Sequence, residues 1–255
     1  METTLAKGIS LSDVPSSEYQ KLGLDSLVEF HNTFSESIWG ADKALSRLLL
    51  QHELFKVAIE GVGNSVIVEI GHYGAITLDQ LAKKFSVELP GALVIGLDKG
   101  DYEPKPVLKE FEYSVNPAYL LRAEESVGRQ VFNPGWVKAS RLGKVYRHGT
   151  NPNAFAVYDA TAEQALLPDA ADLILIKSML GYFGRTEAES LKYFLENVLP
   201  KAKRFLIADY IGKCNFTKVR IPRPEAVAQA IITAYPNADI SFQRGENHFI
   251  MYARR

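Results

Sequence analysis

A chain of 255 residues, of which 47% are hydrophobic and 23% charged, has the composition of one globular domain or of a domain with an extension. Its formal net charge of −1 lacks the excess of Lys and Arg that a dedicated nucleic-acid-binding protein needs, so we expect no nucleic-acid partner. A single cysteine, Cys214, cannot build an internal disulfide framework, and no Cys or His spacing indicates a metal site. Because the amino terminus lacks a signal-peptide pattern and no apolar run approaches the ~20 residues of a membrane span, we predict a cytoplasmic protein without membrane contact.

The chain up to about residue 60 predicts a helical extension or lid. Apolar residues recur at helical spacing from Leu24 to about Ile59. An aromatic segment within it contains His31, Phe34 and Trp39. These three residues are candidate substrate contacts in a lid over an apolar substrate, and the alternative is plain packing between helices.

Residues 61–255 are predicted to form the main domain. Short runs of apolar and β-branched residues, typical of buried parallel strands, occur at Val66–Ile70, Ala92–Leu97, Ala156–Tyr158, Leu173–Ile176 and Phe205–Ala208. Helical segments separate them, which indicates a doubly wound α/β sheet. A helix at Pro224–Ala234 and a hairpin of strands at 238–243 and 249–252 follow.

Helix starts are predicted from capping residues. Thr77 with Gln80, and Thr186 with Glu189, fit the pattern of a hydroxyl and a later acid or amide that cap a helix. Asn116-Pro117 and Asn133-Pro134 predict two further helix starts inside residues 100–153. Because this stretch exceeds a usual crossover, we interpret it as an insertion that carries specificity.

The first strand ends in an acid that is followed by a turn with glycines. The turn reads Glu69, Ile70, Gly71, His72, Tyr73, Gly74, Ala75. Small residues here let the backbone approach a ligand at the start of the next helix. The turn resembles the first motif of class I S-adenosylmethionine-dependent methyltransferases, an acid followed by alternating glycines. Glu69 and Gly71 match that motif, but Tyr73 and Ala75 stand at the later glycine positions and Gly74 is displaced by one. His72 and Tyr73 therefore either contact the methionine portion of the cofactor or block it.

The resemblance continues at later strand ends and covers about Val66 to Arg255. It implies that Asp98, with Lys99 beside it, binds the ribose, and that Asp159 and the Ala160 amide meet the adenine. The alternatives are an exposed acid at a strand end and a turn-forming aspartate. The resemblance also implies a mostly parallel, seven-stranded Rossmann-like sheet with an antiparallel carboxyl-terminal hairpin, and S-adenosylmethionine as cofactor with S-adenosylhomocysteine as product.

Candidates for catalysis lie at strand ends, where ligands bind in such sheets. A base is needed if the acceptor is a hydroxyl or a protonated amine, whereas a thiolate or enolate needs none. The catalytic candidates are His72, Lys177, Tyr182 and Asp209. Lys177 is also a candidate cofactor contact, Tyr210 a candidate substrate contact, and the alternative for Lys177 is a stem that covers the sheet end with its amine in water.

These features favour a methyltransferase that acts on a small molecule. One alternative is a non-catalytic methyltransferase-like binding or regulatory subunit, because the glycine motif is degenerate. Another is an S-adenosylmethionine-using enzyme of a different reaction type. The sequence names neither the acceptor nor its atom, and it leaves a monomer and a homodimer both open.

Overall fold

The computed structural model describes residues 11–13, 49–61, 65–72, 75–100, 111–114, 116, 118–139, 145–214, 217–245 and 248–255. The predicted substrate contacts His31, Phe34 and Trp39 lie outside these residues, as do Tyr73 and Gly74 of the turn. Most of the predicted helical extension also lies outside them, so it stays a prediction.

The described residues contain ten strands, which belong to one sheet. The strands are β1 (Leu11–Asp13), β2 (Val66–Ile70), β3 (Leu93–Asp98), β4 (Phe111–Ser114), β5 (Val145–His148), β6 (Ala154–Tyr158), β7 (Ala171–Lys177), β8 (Ala202–Tyr210), β9 (Asp239–Arg244) and β10 (His248–Arg254). The α-helices are α1 (Glu53–Ile59), α2 (Ile76–Glu88), α3 (Ala118–Val127), α4 (Pro134–Ala139), α5 (Ala162–Ala165), α6 (Glu187–Tyr193) and α7 (Pro224–Ala234). A short 3-10 turn, Leu180–Tyr182, follows β7.

One compact unit comprises residues 61–175 and 196–203. In it β3 pairs in parallel with β2 and β6, whereas β5 is antiparallel to both β6 and β4. Every residue of β2, β3 and β6 is buried, which is typical of strands covered on both faces. Helix α2 contributes Leu78, Leu81 and Phe85, each with no exposed surface, to the core of this unit.

The other unit comprises residues 1–60, 176–195 and 204–255. In it β10 is antiparallel to β8 and β9, and β1 runs parallel to β9. The apolar face of α7 is buried through Val227, Ala228 and Ile231. Arg204 on β8 donates to the carbonyl oxygens of Ala58 and Glu60, which anchors the end of α1.

The predicted fold class is confirmed: the protein is α/β, and its sheet combines parallel strands with an antiparallel carboxyl-terminal pair. The predicted number of seven strands is too low. The strands missed are β1, β4 and β5, of three or four residues each. Strands so short leave no room for a clear alternation of polar and apolar residues.

The structure also decides the predicted helix starts. The Thr77 cap is wrong, because a turn closed by the Ala75 amide on the His72 carbonyl (2.8 Å) leads into a helix that already begins at Ile76. Thr186 is confirmed as a cap, since its hydroxyl accepts from the Glu189 amide at 3.2 Å. Asn116 and Asn133 each accept from the amide two residues on, as the prediction requires.

None of the helices in the described ranges combines the length and the hydropathy of a membrane span.

Candidate functional site

Three residues form a row across neighbouring strand ends in the unit of residues 61–175 and 196–203. The Gly71 amide donates to the Leu97 carbonyl at 2.8 Å, which places Gly71 beside the end of β3. Asp98, the last residue of β3, is the register partner of Tyr158, the last residue of β6. Gly71, Asp98 and Tyr158 therefore lie side by side at the carboxyl ends of β2, β3 and β6, which is where parallel sheets bind ligands.

Asp98 is held by the backbone around it. It is 9% exposed, and its carboxylate accepts the Gly100 amide at 2.6 Å. Its main-chain carbonyl accepts the Ala160 amide at 2.9 Å. The Ala160 amide thus has a partner within the protein, and its predicted contact with adenine would compete with that bond. The predicted cofactor contact Lys99 is exposed.

Asp159 follows β6 in the left-handed backbone region, with φ of 56°, and it is exposed. Asp is among the few side chains that adopt this conformation at modest cost. The exposed Asp159 side chain is accessible to a ligand, as the predicted contact with an adenine amine requires.

Glu69 and His72 have no exposed surface. Glu69 is the register partner of Gly96 on β3. The Nε2 atom of His72 lies 3.4 Å from the Val157 carbonyl, and its ring meets that of Tyr158 edge-on with centroids 4.6 Å apart. Neither side chain offers exposed surface to a ligand, so their roles at the cofactor stay predictions.

In the other unit, the candidates after β7 are organised around Asp209 at the end of β8. Asp209 is 1% exposed, and its carboxylate accepts the Leu180 amide at 2.9 Å and the Tyr210 amide at 2.8 Å. Burial raises the pKa of Asp209 to about 7, although the amide hydrogen bonds oppose that rise. The carboxyl group therefore ties the turn Leu180–Tyr182 to the end of β8.

The remaining candidates of this unit are Lys177, Tyr182 and Tyr210. Between Lys177 and that turn, Ser178 adopts a left-handed φ of 55°, and its amide donates to the Ala208 carbonyl at 2.9 Å. Tyr182 is 44% exposed. Lys177 is only 2% exposed, so its amine does not extend into water, contrary to the alternative interpretation of this lysine. Tyr210 is half-buried. Of the catalytic candidates in this unit, Tyr182 is the most accessible to a ligand.

Sequence reasoning missed Tyr158 and Gly96. Tyr158 had been counted as the end of a buried strand, and nothing in the sequence pairs it with Asp98. Gly96 carried a usable signal, because an isolated glycine within an apolar strand marks a close approach by another group. Within the described ranges, no group of three or more His, Cys, Asp or Glu side chains is placed to hold a metal ion.

No family model and no curated protein matches this sequence. Solved structures of S-adenosylmethionine-dependent methyltransferases match it. One from Aquifex aeolicus is 20% identical, with 82% of this chain and 92% of that chain covered and a TM-score of 0.39. The 1,6-didemethyltoxoflavin-N1-methyltransferase of Burkholderia thailandensis, solved with bound 1,6-didemethyltoxoflavin and S-adenosylhomocysteine, is 12% identical, with 100% of this chain and 98% of that chain covered and a TM-score of 0.47.

The 16S rRNA (adenine(1408)-N(1))-methyltransferase of Catenulisporales acidiphilia, solved as a mutant, is a third match. It is 18% identical, with 79% of this chain and 89% of that chain covered and a TM-score of 0.37. One of these enzymes is named for a small molecule and another for an RNA. At such identities and TM-scores, the matches identify neither the substrate nor the catalytic residues of this protein.

Proposed function

We propose that this protein is an S-adenosylmethionine-dependent methyltransferase that acts on a small-molecule acceptor. The observation that carries the proposal is the position of Asp98, whose carboxylate is fixed by the Gly100 amide at the end of β3, in one row with Gly71. An acid at this position in a parallel sheet is suited to accept the two hydroxyl groups of a ribose.

The neighbouring residues fit a nucleoside cofactor. Gly71 has a left-handed φ of 74° and no side chain, so its backbone can approach a ligand closely. Asp159, exposed after the next strand, supplies an acceptor for an adenine amine. We propose that Gly71, Asp98 and Asp159 hold the cofactor, and that Glu69 lies behind them as a buried carboxylate.

When bound, S-adenosylmethionine supplies an electrophilic methyl group on a sulfonium, which a nucleophilic atom of the acceptor takes. The protein has to hold the two reactants in line, and such positioning lowers the barrier by several kcal/mol. Asp98 and Asp159 orient the nucleoside. Asp209 holds the turn that carries Tyr182, the exposed candidate for contact with the acceptor.

Asp209 stays a candidate base for a hydroxyl acceptor; burial raises its pKa to about 7, and at 1% exposure it would have to become accessible to the acceptor to take its proton. His72 and Lys177 stay further catalytic candidates, and Tyr210 stays a candidate substrate contact. A small acceptor is favoured over a nucleic acid because the net charge of −1 gives no excess of cations to face phosphates. We also propose a cytoplasmic enzyme, because a chain with a single cysteine fits a reducing compartment.

The test is calorimetric titration of the purified protein with S-adenosylmethionine and S-adenosylhomocysteine, after mass spectrometry has identified any co-purified ligand. We expect stoichiometric binding, weakened at least about tenfold by Asp98→Asn, because one charge-assisted hydrogen-bonding group is lost. The control Asp239→Asn removes an exposed acid at the start of β9 and should leave the affinity unchanged. Folded, ligand-free protein that binds neither compound would refute the proposal.

A second function, a non-catalytic methyltransferase-like binding subunit, is favoured by one observation. Ala75 stands where the resemblance expects a glycine, and it is 1% exposed with a left-handed φ of 58°. The methyl group of Ala75 leaves less space for the cofactor at this turn than a glycine would. If the titration shows no binding, this second function leads. If it shows binding, formation of S-adenosylhomocysteine with small-molecule and RNA acceptors decides the substrate class.

A further inference from the structure

Gly96 leaves a slot in the middle of the buried strand β3. A Cβ atom at this position would lie 2.6 Å from Leu78 Cδ2, 2.7 Å from His72 Cδ2 and 2.9 Å from His72 Cγ. Non-bonded carbon atoms are optimally separated by about 3.5–4.0 Å, so a methyl group does not fit beside these two side chains. His72 and Leu78 therefore occupy the space that the side chain of any other residue would take.

Through this slot the His72 side chain reaches across β3 to β6. His72 follows β2, and β3 pairs with both β2 and β6. Its Nε2 atom nevertheless lies 3.4 Å from the Val157 carbonyl of β6, and its ring contacts Tyr158 edge-on, with an interplanar angle of 76°. Only a residue without a side chain at position 96 allows this contact across β3.

Tyr158 connects the His72 ring to Asp98. Register partners on neighbouring parallel strands direct their side chains to the same face of the sheet, so Tyr158 and Asp98 share one face. Burial raises the pKa of Tyr158, and the Asp98 charge raises it further. On the other side, Tyr146 packs edge-on against Tyr158 at 5.7 Å.

We propose that His72 and Tyr158 are positioning residues: their edge-to-face rings, which Gly96 admits, form a wall that directs the Asp98 carboxylate toward the ribose hydroxyls of a bound nucleoside. This inference rests on the proposed function and assigns roles that the resemblance does not supply. It also gives a role to His72, which stands between the matching Gly71 and the non-matching Tyr73. The His72 ring supports Asp98 through Tyr158 and does not itself touch the ligand.

The test compares adenosine with 2′-deoxyadenosine as calorimetric probes, because only adenosine offers both hydroxyl groups to Asp98. Tyr158→Leu removes the ring and should weaken adenosine binding at least about tenfold, with the preference for adenosine over the deoxy compound largely lost. Tyr158→Phe keeps the ring and should rescue affinity to within about threefold of the wild type. The binding stoichiometry should not change, whereas a folding defect would lower it.

A matched control is Phe155→Leu, an equal truncation of a buried ring on the opposite face of the same strand. It should lower the melting temperature but leave the preference between the two probes intact. If Tyr158→Leu does not fold, His72→Leu serves as the second variant, since leucine fills much of the slot, and the same loss of preference is expected.

The outcomes separate the two proposals. If the wild type binds adenosine and prefers it, but the Leu variants keep that preference, the positioning role is refuted and the proposed function stands. If the folded wild type binds neither adenosine nor S-adenosylhomocysteine, the proposed function fails and the positioning role fails with it.

Discussion

Gly96→Ala adds one methyl group to a site that has no room for it. The new carbon would lie 2.6 Å from Leu78 Cδ2 and 2.7 Å from His72 Cδ2, and both of those residues have no exposed surface. Neither neighbour is the flexible tip of a surface side chain, so relief requires repacking of the core. Overpacking of this kind costs about 1–3 kcal/mol of unfolding free energy. For a chain of this size, that corresponds to a decrease in melting temperature of roughly 2–12 °C.

The assay is differential scanning calorimetry at neutral pH, with Gly135→Ala as the control. Gly135 lies exposed in α4, where a Cβ would meet only Asn133 Oδ1 at 3.2 Å. The melting temperature of the Gly135→Ala variant should therefore stay near that of the wild type. His72→Ala relieves part of the clash, and the double variant should therefore lose less stability than the two single losses combined. If Gly96→Ala melts within about 1 °C of the wild type, or if the two losses simply add, the packing of His72 over Gly96 is refuted.

Three further predictions concern charged groups. Asp172→Ala removes the acceptor of the Val66 amide (2.9 Å) and of the Arg129 guanidinium. Because the Arg129 and Asp172 side chains are partly exposed, we expect the free energy of unfolding, measured by urea denaturation, to fall by only about 1–3 kcal/mol. The control Asp239→Ala should lower it by about 0.5 kcal/mol or less. Burial alone would raise the pKa of Asp79, but hydrogen bonds from His148 and Lys83 lower it below 3.8. The ionised Asp79 therefore contributes its full stabilisation above that pH, and the contribution is lost as the pH falls below it. Asp79→Asn should remove this part of the acid-denaturation curve. Asp209 behaves in the opposite sense, because its pKa is raised from 3.8 to about 7 in the folded protein: unfolding free energy should fall as the pH rises between these values, and a slope that persists in Asp209→Asn would assign it to another group.

The sequence predicted those parts of the fold that depend on local pattern. Helix α7 begins and ends where its apolar spacing predicts, and β2 has its predicted bounds. Strands of this kind are recognisable because burial on both faces demands an unbroken apolar run. By contrast, β5 carries an arginine and a histidine, and it exists because it pairs with β4 and β6.

The candidate site was predicted less evenly. Asp98 lies at the strand end where the sequence puts it, since an acid after an apolar run is visible in the text. The burial of Lys177 was not predictable, because a lysine at a strand end is normally solvated at its amine. The start of α2 at Ile76 was also missed, because Ala75 adopts a left-handed conformation that is rare for alanine and that the sequence does not indicate.

The sequence by itself determined the alternation of strands and helices and the placing of acids at three strand ends, because both follow from short-range periodicity along the chain. Tertiary structure alone decided that Gly96 admits the His72 ring, that Tyr158 stands beside Asp98, and that Arg129 pairs with Asp172. These contacts join residues far apart in the sequence, and they depend on strand register and on excluded volume. Neither quantity is encoded in the local pattern of residue types.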